Sequence, residues 1–201
     1  MYTYEPKQFA SIDGLDGLSA KMMSEHYKLY EGYIKKANEI QEKLTNVDKA
    51  SANGVYSDLR ALKLGLSFAI DAIKGHELFF SHLGTNKTSP QESMTKLIEK
   101  SFGGFDSWLS DMKATGIAAR GWVWSAYDWD SGELINVLGD GHDAYPIWNA
   151  TPLVALDVYE HAYFIDYGVN RKDYIETFFK SLDWEVIEKR LTDHQIKTHH
   201  Q

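Results

Sequence analysis

The sequence predicts an α+β chain in which an antiparallel helical hairpin precedes a mixed unit of helices and strands. Three observations carry that prediction. Two long apolar stripes at helical spacing fill the first eighty-odd residues, and a small polar stretch ending in proline follows them. Beyond it the apolar residues change from a helical period to short continuous runs bounded by Gly and Asp.

The first stripe runs through Met22, His26, Tyr30, Tyr33, Ala37, Ile40 and Leu44, so one amphipathic helix is expected over about 18–44, weakened only by Gly32. Residues 46–54 are polar and read as a connection. The second stripe, Leu59, Leu62, Leu66, Ala69, Ile73, His76 and Phe80, predicts a helix over about 55–83. Two long helices on a short link pack antiparallel. The stretch 84–90 (GTNKTSP) reads as a linker, dividing a helical unit at 1–88 from a mixed unit at 89–201. Two shorter helices, about 94–102 and 105–115, are split by Gly103-Gly104. GWVWSAY (121–127) and ELINVL (133–138) are strand-like, and the Asp-Trp-Asp-Ser-Gly between them is a hairpin signal. LVALDV (153–158) suits a buried strand, and helical patches at about 172–181 and 184–191 finish the chain.

Composition narrows the chemistry. A chain of 201 residues that is 43% apolar and 13% aromatic is globular and can bury a real core. The net charge of −8 argues against nucleic acid or an anionic membrane as the main partner. That charge is lopsided: residues 1–88 carry 11 basic and 11 acidic groups, and residues 89–201 carry 10 and 18. No apolar run approaches the roughly 18 residues that span a bilayer, and the start lacks a signal-peptide pattern, so a cytoplasmic protein is expected. With no Cys, any metal must be held by His and carboxylates. Asp128-Trp-Asp-Ser-Gly132 resembles a calcium loop, but its Gly comes one position early and no closing Glu follows.

Of the eight histidines, His194, His199 and His200 read as solvated, and His82 as a cap or surface group. His26 and His76 differ, because each lies on the apolar stripe of its helix. Either imidazole alone reads as a satisfied core residue or as a ligand; paired antiparallel helices could aim both at one point. Asp157 closes an apolar run, and His161 follows four residues later. A buried carboxylate is costly unless paired or bound to a cation. Three His and one Asp would suit iron, manganese, zinc or copper.

The segment DVYEHAYFIDYGVNRKDY at 157–174 resembles the signature of the iron/manganese superoxide dismutase family, commonly DxWEHAYYLDY with a following Arg and DY pair. HY…GY in the first helix, GHELFF at 75–80, SFGGFDSW at 101–108, GWVW at 121–124 and DWEVIEKR at 183–190 agree with that family in order and spacing. The resemblance implies a helical hairpin followed by helices on a three-stranded antiparallel sheet. It implies one iron or manganese ion per subunit on His26, His76, Asp157 and His161, and disproportionation of superoxide to oxygen and hydrogen peroxide. It makes Tyr33 the gateway residue, gives His142 the place beside the metal-bound solvent (Ala72 cannot supply an amide there), and puts Arg171 in the funnel that draws in the anion. Glu160 would reach the ligand His of a second subunit, in a homodimer or a tetramer.

The departures are specific. The family's ligand and gateway Tyr lie eight residues apart; here His26 and Tyr33 lie seven apart, so Glu25 competes with His26 for the ligand position. A one-residue deletion is the favoured reading, since His26, Tyr30 and Tyr33 then share a helix face. Tyr30 and Phe164 stand where the family pairs a His and a Tyr across the dimer, and Phe80 and Tyr159 replace two Trp near the metal. A dismutase-like metal protein of low activity, and a mononuclear metal enzyme for another substrate, are the alternatives.

Overall fold

The structure is a computed structural model that describes residues 2–86, 89–144 and 147–196. The boundary expected at residue 88 and the histidines at 199 and 200 lie outside the described residues. α1 spans Ala20–Asn46 and starts at Ser19, whose side chain accepts the Met22 N–H. α2 spans Asp58–Ser81 and starts the same way, Ser57 accepting from Arg60. The two pack together, and α1 buries Met22, His26, Tyr30, Ala37 and Ile40 of the expected stripe together with Met23, Tyr27 and Ile34 beside it, while Tyr33 and Leu44 are half-buried.

α3 (Glu92–Phe102) ends on Gly103 in the left-handed region at φ +76°, where glycine carries no Cβ penalty. α4 spans Phe105–Ala118. The strands β1 (Trp122–Asp128), β2 (Glu133–Gly139) and β3 (Ala150–Asp157) form one antiparallel sheet in the order β2-β1-β3. The chain closes with α5 (Phe164–Tyr167), α6 (Arg171–Lys180) and α7 (Trp184–Asp193). This is the α+β architecture expected, with the three-stranded sheet that the resemblance implied.

The central strand positions the site because both of its faces are covered. On one face Trp122 and Trp124 meet α2 at Gly75. On the other, Ser125 accepts the indole N–H of Trp108 in α4 at 2.9 Å. Asp157 sits opposite Trp122 in the β1–β3 register, so the end of β3 presents it to the same face as Trp122. The Asp128 carboxylate caps its own hairpin, accepting from the N–H groups of Asp130 and Ser131 and from the Ser131 hydroxyl, which is what that acidic turn does.

Candidate metal centre

Three segments meet at one point. His26 arrives from α1 and His76 from α2; Asp157 ends β3, and His161 sits in the 3-10 turn Glu160–Ala162 that follows. One ligand atom from each lies within 4.8 Å of all the others. The convergence is on a single oxygen: Nε2 of His26, His161 and His76 lie 3.1, 3.2 and 3.7 Å from Asp157 Oδ2. The other carboxylate oxygen is taken by the backbone N–H of Tyr159 at 2.9 Å. Tyr174 donates to the Asp157 carbonyl at 2.7 Å and so fixes the strand end. Glu25 points away, exposed and paired with Lys28 at 2.7 Å, while His26 is fully buried.

The protonation pattern is that of a cation site. His76 Nδ1–H donates to the Ala72 carbonyl at 2.6 Å, so the Nε2 lone pair is free, and it has no hydrogen-bond partner among the described residues. A buried acceptor left unmatched is costly, and an ion on the inner side of these four groups would satisfy it. Burial holds His76 well below the usual histidine value and lowers His26, against the pull of Asp157. Burial also acts on His161, but the Asp157 charge and hydrogen bond prevail and raise it. Burial alone would raise Asp157; the charge of His161 and the hydrogen bonds from His161 and His26 hold it below the carboxylate range. Three imidazoles and one carboxylate fit a redox metal of the first transition row.

A second layer rests on these groups. Trp122 Nε1–H donates to His142 Nδ1 at 2.9 Å, so the proton of the neutral imidazole is on Nε2, 3.0 Å from the Tyr33 oxygen. Burial lowers His142 to about 4, which keeps it neutral. Tyr33 therefore accepts from His142, and its own hydroxyl proton is left to point elsewhere. The Tyr33 ring lies 5.5 Å from that of His76, and burial, then the Asp157 charge, raises its hydroxyl.

Residues 90–190 match the family described as iron/manganese superoxide dismutases, C-terminal domain. The superoxide dismutase [Fe] of Aquifex aeolicus is 37% identical over 94% of this chain and 92% of its own. The chain belongs to the iron/manganese superoxide dismutase family. The superoxide dismutase [Fe] of Cupriavidus metallidurans is 34% identical over 85% of this chain and 87% of its own. A manganese relative, superoxide dismutase [Mn] 2 of Haloferax volcanii, is 31% identical over 84% of both chains.

The remaining residues singled out by sequence fall in different places. Tyr30 is fully buried, donating to Glu77 at 3.0 Å and accepting the Lys7 N–H at 3.0 Å, so it fastens the N-terminal segment to the hairpin. Arg171, half-buried, donates to the Ala119 carbonyl at 2.7 Å and to the Tyr163 hydroxyl at 3.2 Å. Glu160 and Phe164 are exposed. His82 does occupy the C-cap position of α2, but it is fully buried and accepts the Ala155 N–H at 3.0 Å, because β3 passes over that helix end. His194 is exposed, as expected. Sequence reasoning missed two contributors. Trp122 sets the His142 tautomer, and a buried indole that needs an acceptor was the signal for it. The Ala72 carbonyl sets His76; its signal is only that it lies four residues earlier on the same helix.

Proposed function

We propose that the protein disproportionates superoxide to dioxygen and hydrogen peroxide, with one iron or manganese ion per subunit held by His26, His76, Asp157 and His161. The observation that carries this reading is the convergence of three imidazole Nε2 atoms on one buried carboxylate oxygen. When bound, the ion supplies a one-electron couple between its +3 and +2 states, which zinc lacks. Two superoxide anions and two protons give one dioxygen and one hydrogen peroxide, so the chain must deliver protons as well as admit an anion. Tyr33 and His142 are the residues for that. Trp122 fixes the His142 tautomer, His142 Nε2–H fixes the Tyr33 oxygen, and the Tyr33 hydroxyl proton is left for the cavity. Arg171, hydrogen-bonded to Tyr163 two residues after His161, adds positive charge on a chain whose net charge is −8.

A homodimer follows from the same reading. Glu160 adjoins His161 in sequence and is exposed, and Phe164 is 49% exposed one short turn later, an apolar surface for a second copy. In that assembly Glu160 of one subunit orients His161 of the other. Residues 1–88 and 89–201 are read as the two structural units, and the cytoplasm as the compartment; no helix among the described residues is long and apolar enough to cross a membrane.

The deciding experiment is superoxide consumption by purified protein of measured metal content, beside Asp157→Ala. Turnover that tracks iron or manganese occupancy and disappears in the variant is expected. A fully iron- or manganese-loaded protein that turns over slowly would sink this reading and direct attention to Tyr30 and Phe164. Phe164→Glu, run through light scattering, is expected to give monomers.

A further inference from the structure

A groove of about 500 Å³ runs along α2; His142 is among its lining residues, and the four converging side chains are not. Gly75 and Leu78 of α2, Trp124 and Pro152 of the sheet, and Phe9 of the N-terminal segment give it apolar walls. Arg190 closes one end. Its Nε–H donates to the Pro152 carbonyl at 2.6 Å, which pins the guanidinium over the edge strand. The rest of the fork has no hydrogen-bond partner and no carboxylate within 4 Å among the described residues. Of the acids nearby, Asp193 pairs with Lys189 at 2.5 Å and Glu77 with Lys7, while Asp71 lines the same groove three residues before Lys74, about one helical turn along α2. Asp193 acts on Arg190 as a counter-charge but makes no salt bridge to it; a half-buried cation so placed is costly, and burial lowers the Arg190 pKa against the pull of Asp193.

A second cavity of about 160 Å³ lies on the other side of Arg190, sharing Leu78 and Ser81 with the first. His82 lines it and is fully buried. The Ala155 N–H fills its Nε2, so the proton is on Nδ1, and that donor also lacks a partner among the described residues. Arg190 lines both cavities and His82 the second, so two kinds of donor without acceptors among the described residues lie at their junction, beside a groove whose walls also carry Lys7, Asp71, Lys74 and Glu77.

We propose that this groove binds a small aromatic carboxylate, its carboxylate received by the Arg190 fork and its ring lying along Trp124. The guanidinium fork matches a carboxylate in two parallel hydrogen bonds. The spacing suits a single ring. Trp124 and Ala126 lie on one face of β1, Ala126 pairs with Pro152, and two residues of strand span about 7 Å. The volume falls in the range of small-molecule sites, which are apolar with a few placed polar groups.

The test is calorimetric titration of the metal-loaded protein with benzoate, benzamide and inorganic phosphate. Benzoate is expected to bind and benzamide, its uncharged isostere, to fail. Arg190→Gln should weaken benzoate by about tenfold or more, the usual worth of a charge-assisted hydrogen bond. Because Arg190→Gln also removes the Pro152 contact, Ser81→Met provides a second variant that fills the junction of the cavities and leaves the arginine in place; it should weaken benzoate as well. Crystals grown with benzoate should hold the ring over Trp124. No heat with benzoate, equal affinity in wild type and both variants, or tighter binding of phosphate than of benzoate would each overturn the proposal.

Discussion

Gly75 is the position at which a single methyl group tests how the fold and the metal centre are joined. It precedes His76 on α2, and a Cβ built there would lie 3.0 Å from Trp124 Cη2 and 3.2 and 3.3 Å from Trp122 Cζ2 and Cη2. Carbon atoms rest at about 3.5–4.0 Å, so the rings must move by roughly half an ångström. They cannot move separately, being stacked on each other at 4.9 Å and 17°. Trp122 also stands edge-on to His76 at 5.3 Å and holds His142 through its N–H. Alanine gains about 1 kcal/mol of helix propensity over glycine, whereas overpacking a core costs about 1–3 kcal/mol. Gly75→Ala should therefore be neutral to about 2 kcal/mol less stable, lowering Tm by up to about 8 °C in a chain of this size. Gly32 is the internal control, since it lies on the exposed side of α1 with nothing within 4 Å of its built Cβ. There the propensity gain is unopposed, and Gly32→Ala should raise Tm by about 2–4 °C. Thermal unfolding of the two variants, with turnover per bound metal, is the assay. Turnover should fall only in Gly75→Ala, through Trp122, His142 and Tyr33. If both variants gain stability equally and retain turnover, the close approach of α2 to the two indoles constrains nothing.

Tyr30→Phe should cost about 1–3 kcal/mol in denaturant unfolding, because it removes a bond to the Glu77 carboxylate and an acceptor for the Lys7 N–H. Tyr33→Phe should instead lower turnover, read by stopped-flow decay of superoxide, since it leaves His142 Nε2–H without its acceptor. Burial lowers His82 to about 3, below its unfolded value of roughly 6.5. The folded state thus binds fewer protons than the unfolded one across that window, so stability present above about pH 6.5 is lost as pH falls toward 3. His82→Gln keeps an acceptor for Ala155 but cannot titrate, so its stability should fall less steeply with acid, by up to about 1.4 kcal/mol per pH unit. Removal of the metal should lower Tm, and titration with iron or manganese should restore it, because the ion binds only the assembled site.

Elements separated by a change of period were legible in the sequence to within a few residues. The stripes of α1 and α2, the Gly103-Gly104 break and the Asp-Trp-Asp-Ser-Gly hairpin are local physics, a helical repeat, a left-handed glycine and a turn that satisfies its own backbone. β3 begins three residues earlier than its apolar run, at Ala150, because Thr151 and Pro152 join through pairing with β1 rather than through their own hydrophobicity. Pro152 is tolerated there because β3 is an edge strand. The short turns after Asp157 carry no periodic signal at all, and the chain takes them because His161 must return toward the carboxylate four residues behind it.

The site was legible for a related reason and illegible for a complementary one. A metal centre built inside a core must draw its ligands from buried stripes, so His26 and His76 stood out as polar residues in apolar positions. The same logic cannot separate Tyr30 from Tyr33. Three residues apart, they share a helix face, yet one hydroxyl meets His142 and the other meets Glu77. What divides them is the partner each finds across α1, 109 residues away in one case and 47 in the other. His142 is the stronger instance, because its position in a loop says nothing of its proton. That proton is set by an indole from β1, twenty residues back. Spacing therefore identifies which residues can reach the centre, while direction of donation, on which proton delivery depends, is decided by contacts between segments that no local pattern encodes.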